Sequence, residues 1–343
     1  MMRLPLSWLL AFTTAALALL LLGSLATGPM TLTLGESLRA LFAGQESGIE
    51  SHKLLIVQEI RLPRTLLCIA VGGILGLCGA VMQGLFRNPL ADPGIIGVSG
   101  GAALGAALAI VLLAPLGQQL QATIGVGLLP LLAFLGGAIT TTLVYLLGTR
   151  EGGTSVTVML LAGVAITALS GAVIGLLTYL ADDQMLRNLS LWQMGTLAAG
   201  KPADVALALL TLAALLWLFM RDANPLNALL LGEGEARHLG VNVQSLKRRL
   251  ILLTAAGVGV AVAVSGMIGF VGLVVPHLVR LLAGPNHVRL LPLSALLGAA
   301  LLLAADMLAR TLLAPAELPV GIITALLGAP FFIWLLVKGR RAL

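Results

Sequence analysis

The chain carries few charged residues, and three of its arginines are suited to binding carboxylate groups. Arg61 and Arg64 stand in the segment Arg-Leu-Pro-Arg, and Arg310 follows Asp306 by one helical turn. The planar guanidinium group holds a carboxylate through two parallel hydrogen bonds, so these arginines fit acidic recognition. Two alternatives stay open: pairing with lipid headgroups, and an intramolecular ion pair of Arg310 with Asp306 at the i, i+4 spacing.

A short polar segment, Leu231 to Val241, carries both signs of charge between glycines. Glu233 and Arg237 stand one turn apart, and Gly240 follows them. We predict that the segment forms a short polar helix, because glycines commonly mark the ends of helices. The segment is suited to docking in a groove of a cytoplasmic partner, and a solvated loop helix is the alternative.

A third polar segment contains Asn88, Pro89 and Leu90. Pro89 and Pro93 are four residues apart, with Asn before the first and Asp before the second. Proline breaks a helix and restricts the residue before it. The segment therefore predicts a structured turn at the inner membrane face.

The sequence shows no arrangement suited to catalysis. It has no convergent nucleophile and base inside a helix, and no paired metal ligands such as His-Glu-x-x-His. Cys68 and Cys78 would lie about 15 Å apart on one helix, too far for a disulfide bond. We expect a chain that is not an enzyme, with no metal site and no permanently bound cofactor. None of the four histidines, His52, His238, His277 and His287, is suited to act as a metal ligand.

The elements that position these residues are apolar. The chain has 343 residues, of which 59% are hydrophobic and 10% charged, and its mean hydropathy is +1.06. Soluble proteins carry about a quarter charged residues, so the composition indicates a membrane protein and excludes a cytosolic enzyme. The net charge of +6 fits basic cytoplasmic loops, so we expect a lipid bilayer and no nucleic acid as partner.

Long uncharged runs, such as 93–149, predict about ten transmembrane helices at roughly 20 residues per crossing. The predicted fold is an all-α polytopic membrane protein, one transmembrane domain over residues 1–343 with a cytoplasmic loop at about 222–248. An even number of crossings puts both termini on one side. The cytoplasmic side is indicated by the basic cluster Lys338, Arg340 and Arg341.

The predicted spans carry no Asp, Glu, Lys or Arg in mid-helix. Ion-coupled carriers and proton relays need ionisable residues there. The pattern therefore disfavours a secondary transporter, which stays the alternative of a different class, and it leaves a transporter without an internal energy source.

Several segments, in one collinear order from about Arg61 to Phe332, resemble the FecCD-type permeases of ABC importers for iron chelates, haem and vitamin B12. The resemblance implies a type II importer permease in the bacterial inner membrane, a homodimer with two ATPase subunits on the cytoplasmic side and a periplasmic substrate-binding protein. ATP would then be used by the partner subunit. The matching segments are Arg61–Arg64, Gln83–Gly100, Trp192–Thr196, Pro276–His277 and Glu317–Gly321.

The resemblance also assigns roles to particular residues. Docking of the binding protein is assigned to Arg61, Arg64 and Arg310. Contact with the ATPase subunits is assigned to Glu233, Arg237 and Gly240. The cytoplasmic gate is assigned to Asn88, Pro89, Leu90, Thr154 and Ser155.

The predicted cargo is haem. The segment from Thr178 to Trp192 is most similar to the haem-importing members of the family, and apolar pore walls suit a bulky, partly apolar chelate better than a bare ion. A ferric siderophore and vitamin B12 are the alternatives within the family.

Overall fold

The structure is a computed structural model that describes residues 5–30, 32–42, 50–114, 127–150, 153–198 and 200–340. Most of these residues are helical. In chain order the helices are α1 (Leu6–Ala26), α2 (Leu34–Phe42), α3 (Ser51–Leu55), α4 (Leu62–Leu85), α5 (Val98–Val111), α6 (Leu128–Gly148), α7 (Val156–Leu180), α8 (Asp183–Gln193), α9 (Pro202–Arg221), α10 (Ala223–Leu230), α11 (Glu233–His238), α12 (Val243–Ser265), α13 (Val271–Ala283), α14 (His287–Thr311) and α15 (Val320–Arg340).

Shorter elements connect some of these helices. A π-helical segment, Ile56–Arg61, joins α3 to α4, and a 3-10 turn, Pro93–Ile96, precedes α5. Strands β1 (Thr149–Arg150) and β2 (Gly153–Thr154) pair antiparallel between α6 and α7, with Thr149 opposite Thr154. We call this pair of strands the gate hairpin, because it contains Thr154 of the predicted gate.

The prediction of an all-α membrane protein with about ten apolar helices is confirmed. Within the described residues, seven helical stretches are long and apolar enough to cross a membrane, and three shorter apolar helices accompany them. Two of the shorter ones, α5 and α13, have 14 and 13 residues, or about 20 Å of helix, less than the hydrocarbon thickness. The predicted basic cluster Lys338, Arg340 and Arg341 lies outside the side chains that the structure describes.

Helix α4 forms the centre of the bundle. Most of its 24 residues are buried, and it packs against α9, α12, α13 and α14. A Cβ atom on Gly72 would lie 2.4 Å from the carbonyl oxygen of Gly298, and one on Gly298 would lie 2.3 Å from that of Gly72. Glycine at both positions lets α4 and α14 approach backbone to backbone, as small residues do in membrane helix pairs.

Polar caps fix the starts of the helices around the gate hairpin. Ser155 accepts a hydrogen bond from the Val158 amide at the start of α7, and Asn242 accepts one from the Ser245 amide at the start of α12. Such caps satisfy amides that the first helical turn leaves unpaired. They determine where α7 leaves the gate hairpin and where α12 begins beside it.

Candidate functional site

A cluster of charged side chains joins the start of α4 to the end of α14. Arg64 donates through Nε and Nη2 to Oδ1 of Asp306 at 3.0 and 2.9 Å, and through Nη1 to Oε2 of Glu317 at 2.7 Å. Arg310 lies on the other side of Asp306, with Nε 3.0 Å from Oδ2. One carboxylate thus holds two guanidinium groups. We call Arg61, Arg64, Asp306, Arg310 and Glu317 the arginine network.

The same network holds the end of α1 by its carbonyl groups. Arg61 donates through Nη1 to the carbonyls of Leu25 and Ala26 at 2.7 and 2.8 Å, and Arg310 donates to that of Thr27 at 3.2 Å. The last carbonyls of a helix lack intrahelical partners and carry its partial negative charge. Guanidinium groups there fasten α1 to α4 and α14.

The three arginines are buried rather than presented outward. Arg61, Arg64 and Arg310 are 4%, 5% and 2% exposed, and their donors are used by acceptors of the same chain. The intramolecular pair of Arg310 with Asp306, left open by the sequence, is present. Docking of a binding protein by these side chains stays a prediction.

One sequence expectation needs correction here. The uncharged run 290–305 predicted a span that ends before Asp306, yet α14 continues to Thr311 and Asp306 is fully buried in it. The sequence pattern missed this because the buried charges lie in the last turns of α14 and the first turn of α4, where partners from other helices neutralise them. They lie at one end of the bundle and not in mid-helix.

The segment after α4 forms the predicted structured turn. The Asn88 side chain accepts a hydrogen bond from the Leu90 amide at 2.9 Å, and Asp92 accepts one from the Gly94 amide at 2.7 Å. Asn88 and Pro89 are exposed. Burial raises the pKa of the Asp92 carboxyl, and the hydrogen bond from Gly94 opposes this shift.

The two parts of the predicted gate are connected through α7. Ser155 caps that helix, and Gly163 lies further along it, where a Cβ atom would come within 2.0 Å of the Ile95 carbonyl oxygen. The turn after Asn88 therefore packs on the same helix that follows the gate hairpin. Whether these residues open and close a passage stays a prediction.

Helices α10 and α11 form the predicted ATPase-docking segment. Glu233 and Arg237 of α11 lie 3.8 Å apart in an exposed ion pair. Gly240 is exposed with φ +83°, a left-handed conformation that favours glycine. Helix α10 is tied to α14 by Asn227, whose Oδ1 accepts from the His287 amide at 2.8 Å.

A buried lysine connects α11 to the gate hairpin. Lys247 of α12 donates to Oε1 of Glu233 at 2.6 Å and to the Thr154 carbonyl oxygen at 3.0 Å. Lys247 is 2% exposed. We call the chain of contacts Glu233–Lys247–Thr154 the lysine link.

Helical periodicity in the sequence indicates that Lys247 is buried, although its charge suggests an exposed side chain. Lys247 shares a helical face with Val243 and Leu250, which are both buried, whereas its neighbours Arg248 and Arg249 are exposed. Side chains three and four apart lie on one face of a helix. Helical periodicity thus separates Lys247 from the basic run in which it stands.

The described residues contain no group of three or more His, Cys, Asp and Glu side chains able to hold a metal ion. Cys68 and Cys78 are both buried and unpaired with each other. Of the histidines, His287 contacts Asn227 through Nδ1 at 2.9 Å, and the ring of His277 lies edge-on to Phe331 at 6.0 Å. These contacts involve helix packing.

A bundle of apolar helices with polar turns at its ends defines a polytopic membrane protein. The model of the FecCD transport family matches residues 16–338. The chain belongs to the FecCD transport family. It is a permease subunit of an ABC transporter, a transport protein and not an enzyme.

Individual relatives agree with this membership. The chain is 47% identical to the hemin transport system permease protein HmuU of Yersinia pestis, over 97% of this chain and 96% of that protein. It is 44% identical to the cobalamin import system permease protein BtuC of Halobacterium salinarum, over 87% and 77% of the two chains. A solved inward-facing structure of a metal-chelate type ABC transporter superposes with a TM-score of 0.81 at 34% identity, covering 96% of this chain and 98% of that one.

Proposed function

We propose that this permease imports haem. The observation that carries the proposal is the 47% identity to a hemin permease along almost the full length of both chains. Cobalamin is the second candidate, because a cobalamin permease is 44% identical over 297 residues. A ferric siderophore is the third cargo to test, since the resemblance extends to permeases for iron chelates.

The proposed assembly is a homodimer of one transmembrane permease domain per chain, with two ATPase subunits and a periplasmic binding protein. Arg237 lies on the exposed face of α11, and Gly240 follows this helix. The segment suits ATPase docking because it is polar and lies between glycines. The arginine network would face the periplasm, and both termini the cytoplasm of a bacterial inner membrane.

The proposed cytoplasmic gate consists of the turn at Asn88, Pro89 and Leu90 together with Thr154 and Ser155. Support comes from their position at the ends of α4 and α7, on the same end of the bundle as α11. A gate at that end would be within reach of motions that an ATPase imposes on α11.

The test is ATP-dependent uptake into proteoliposomes that contain the permease and its ATPase subunit. Binding protein is supplied with haem, with cobalamin or with a ferric siderophore. We expect haem to accumulate only when ATP and binding protein are both present. Uptake of cobalamin or siderophore but not of haem would show that the protein is an importer with a different cargo. Uptake without ATP would contradict the importer itself.

A further inference from the structure

We propose that Lys247 is the positioning residue that transmits movement of α11 to the gate hairpin. The inference rests on the proposed function, in which α11 contacts the ATPase and Thr154 belongs to the gate. Neither the motifs nor the basic character of the loop assign this role to Lys247. The geometry assigns it.

The lysine ammonium is the common point of both contacts. Its Nζ lies 2.6 Å from a carboxylate oxygen of Glu233 and 3.0 Å from the Thr154 carbonyl oxygen. A hydrogen bond to a charged group is stronger than one between neutral groups. One charged atom of α12 therefore contacts both α11 and the gate hairpin.

A second contact seats the same residue of the hairpin on α12. The Thr154 amide donates to Oε1 of Gln244 at 3.1 Å, so α12 binds both the N–H and the C=O of Thr154. A Cβ atom on Gly153 would lie 2.4 Å from Nε2 of Gln244. The hairpin is thus closely fitted against the first turns of α12 and must follow them.

Burial makes separation of α11 from Lys247 unfavourable. The Lys247 side chain is 2% exposed, whereas that of Glu233 is 37% exposed. If α11 moved away alone, the carboxylate would regain water but the ammonium would stay buried without its counter-charge, which is costly. Lys247 and the hairpin are therefore expected to move with α11.

The neighbouring helix α10 is fastened elsewhere. Asn227 bonds the His287 amide and the Asn286 side chain, both at the start of α14. These bonds attach the docking segment to the start of a long bundle helix, and α10 also packs against α4. The contact that attaches α11 to the gate hairpin is the one through Lys247.

The experiment compares Lys247→Met with Arg248→Met, which removes the same charge from an exposed neighbour on α12. Uptake and ATP hydrolysis are measured together in proteoliposomes, with haem, cobalamin and ferric siderophore as cargoes. We expect Lys247→Met to lower uptake per ATP hydrolysed by at least about tenfold, the size of one lost charge-assisted hydrogen bond. Arg248→Met should retain the wild-type ratio.

A purely structural role would lower uptake and ATP hydrolysis in proportion and leave their ratio unchanged. An unchanged ratio would therefore overturn the proposal. If Lys247→Met does not assemble, the same ratio is measured for Glu233→Gln. This variant weakens the lysine link at a half-exposed side chain, so it is better tolerated by the fold. The ratio should fall for this variant too.

A cargo-independent measurement separates this inference from the proposed function. Spin labels at Arg150→Cys and His238→Cys, both exposed positions, report the distance between hairpin and α11; Cys68 and Cys78 are fully buried. We expect a narrow intrasubunit distance in the parent and a broadened one with Lys247→Met. An unchanged distribution would refute the link, whereas a parent that imports none of the three cargoes would refute the proposed function alone.

Discussion

The arginine network and the lysine link are both built from buried charge, but they differ in the number of contacts. In the network, Asp306 binds two guanidinium groups while Arg61 binds carbonyls of α1. In the link, one ammonium binds one carboxylate and one carbonyl. Many shared contacts hold long helices in one arrangement, whereas a single charged contact joins two short elements.

The two cation types suit these different tasks. The guanidinium group of Arg64 has donors in a fixed planar fork, and it uses them on Asp306 and Glu317 at once. The ammonium of Lys247 is a compact charge on a flexible stem. The planar guanidinium group restricts the directions from which acceptors can bind, whereas the ammonium group can keep its acceptors when their positions relative to it change. The first region therefore suits rigidity and the second suits transmission.

The largest effect is expected when the centre of the network is neutralised. In Asp306→Asn, Arg64 and Arg310 stay buried with only Glu317 as a carboxylate partner. Breaking a buried ion pair from one side costs about 3–5 kcal/mol. We expect a much lower midpoint temperature of thermal inactivation for the detergent-solubilised permease.

The control is Asp183→Asn, which removes an exposed carboxylate from the first turn of α8. Its midpoint should stay close to that of the parent. Equal midpoints for the two variants would show that the network does not hold the bundle together, and the contrast between the two regions would fail.

A smaller loss of stability is expected from Lys247→Met in the same assay. Glu233 is half-exposed and rehydrates when its partner is removed, so about 1.5–3 kcal/mol is lost with the hydrogen bonds. The midpoint should fall less than for Asp306→Asn. A loss as large as that of Asp306→Asn would make the link a second rigid anchor and not a transmitting contact.

Local sequence patterns predicted much of this molecule. Uncharged runs predicted about ten apolar helices, and the described part of the chain contains seven long and three shorter ones. The paired prolines predicted the turn that follows α4. The segment around Glu233 was predicted as a short helix, and α11 forms there. These features depend on neighbouring residues, which is why a single sequence is enough for them.

Pairings between distant segments were beyond such patterns. Arg64 and Glu317 are 253 positions apart in the chain, and no local rule joins them. The resemblance assigned Arg61, Arg64 and Arg310 to docking, and it carried no information on their burial, which contacts with α1 and α14 produce. Burial of Lys247 was readable from helical periodicity, yet its partner Thr154 lies on another element.

The smallest effect on stability is expected from Glu317→Gln. This side chain is 34% exposed, and Arg64 keeps Asp306 when Glu317 is neutral, so the change should be below about 1 kcal/mol. The variant nevertheless replaces the charge-assisted hydrogen bond of Arg64 Nη1 by a weaker one to an amide oxygen. Nη1 is the donor that the predicted docking role would offer to a carboxylate of the binding protein.

Docking of the binding protein to permease in nanodiscs should therefore strengthen by up to about fivefold at low salt, the value of one exposed charge pair. At high salt the gain should disappear, because exposed charges are screened. Glu235→Gln, at an exposed site on α11, should leave docking unchanged. Unaltered docking of Glu317→Gln would restrict Arg64 to holding helices, and weaker docking would mean that Glu317 itself contacts the binding protein. Since Arg64 keeps Asp306 in either case, the measurement separates recognition from rigidity within one side chain.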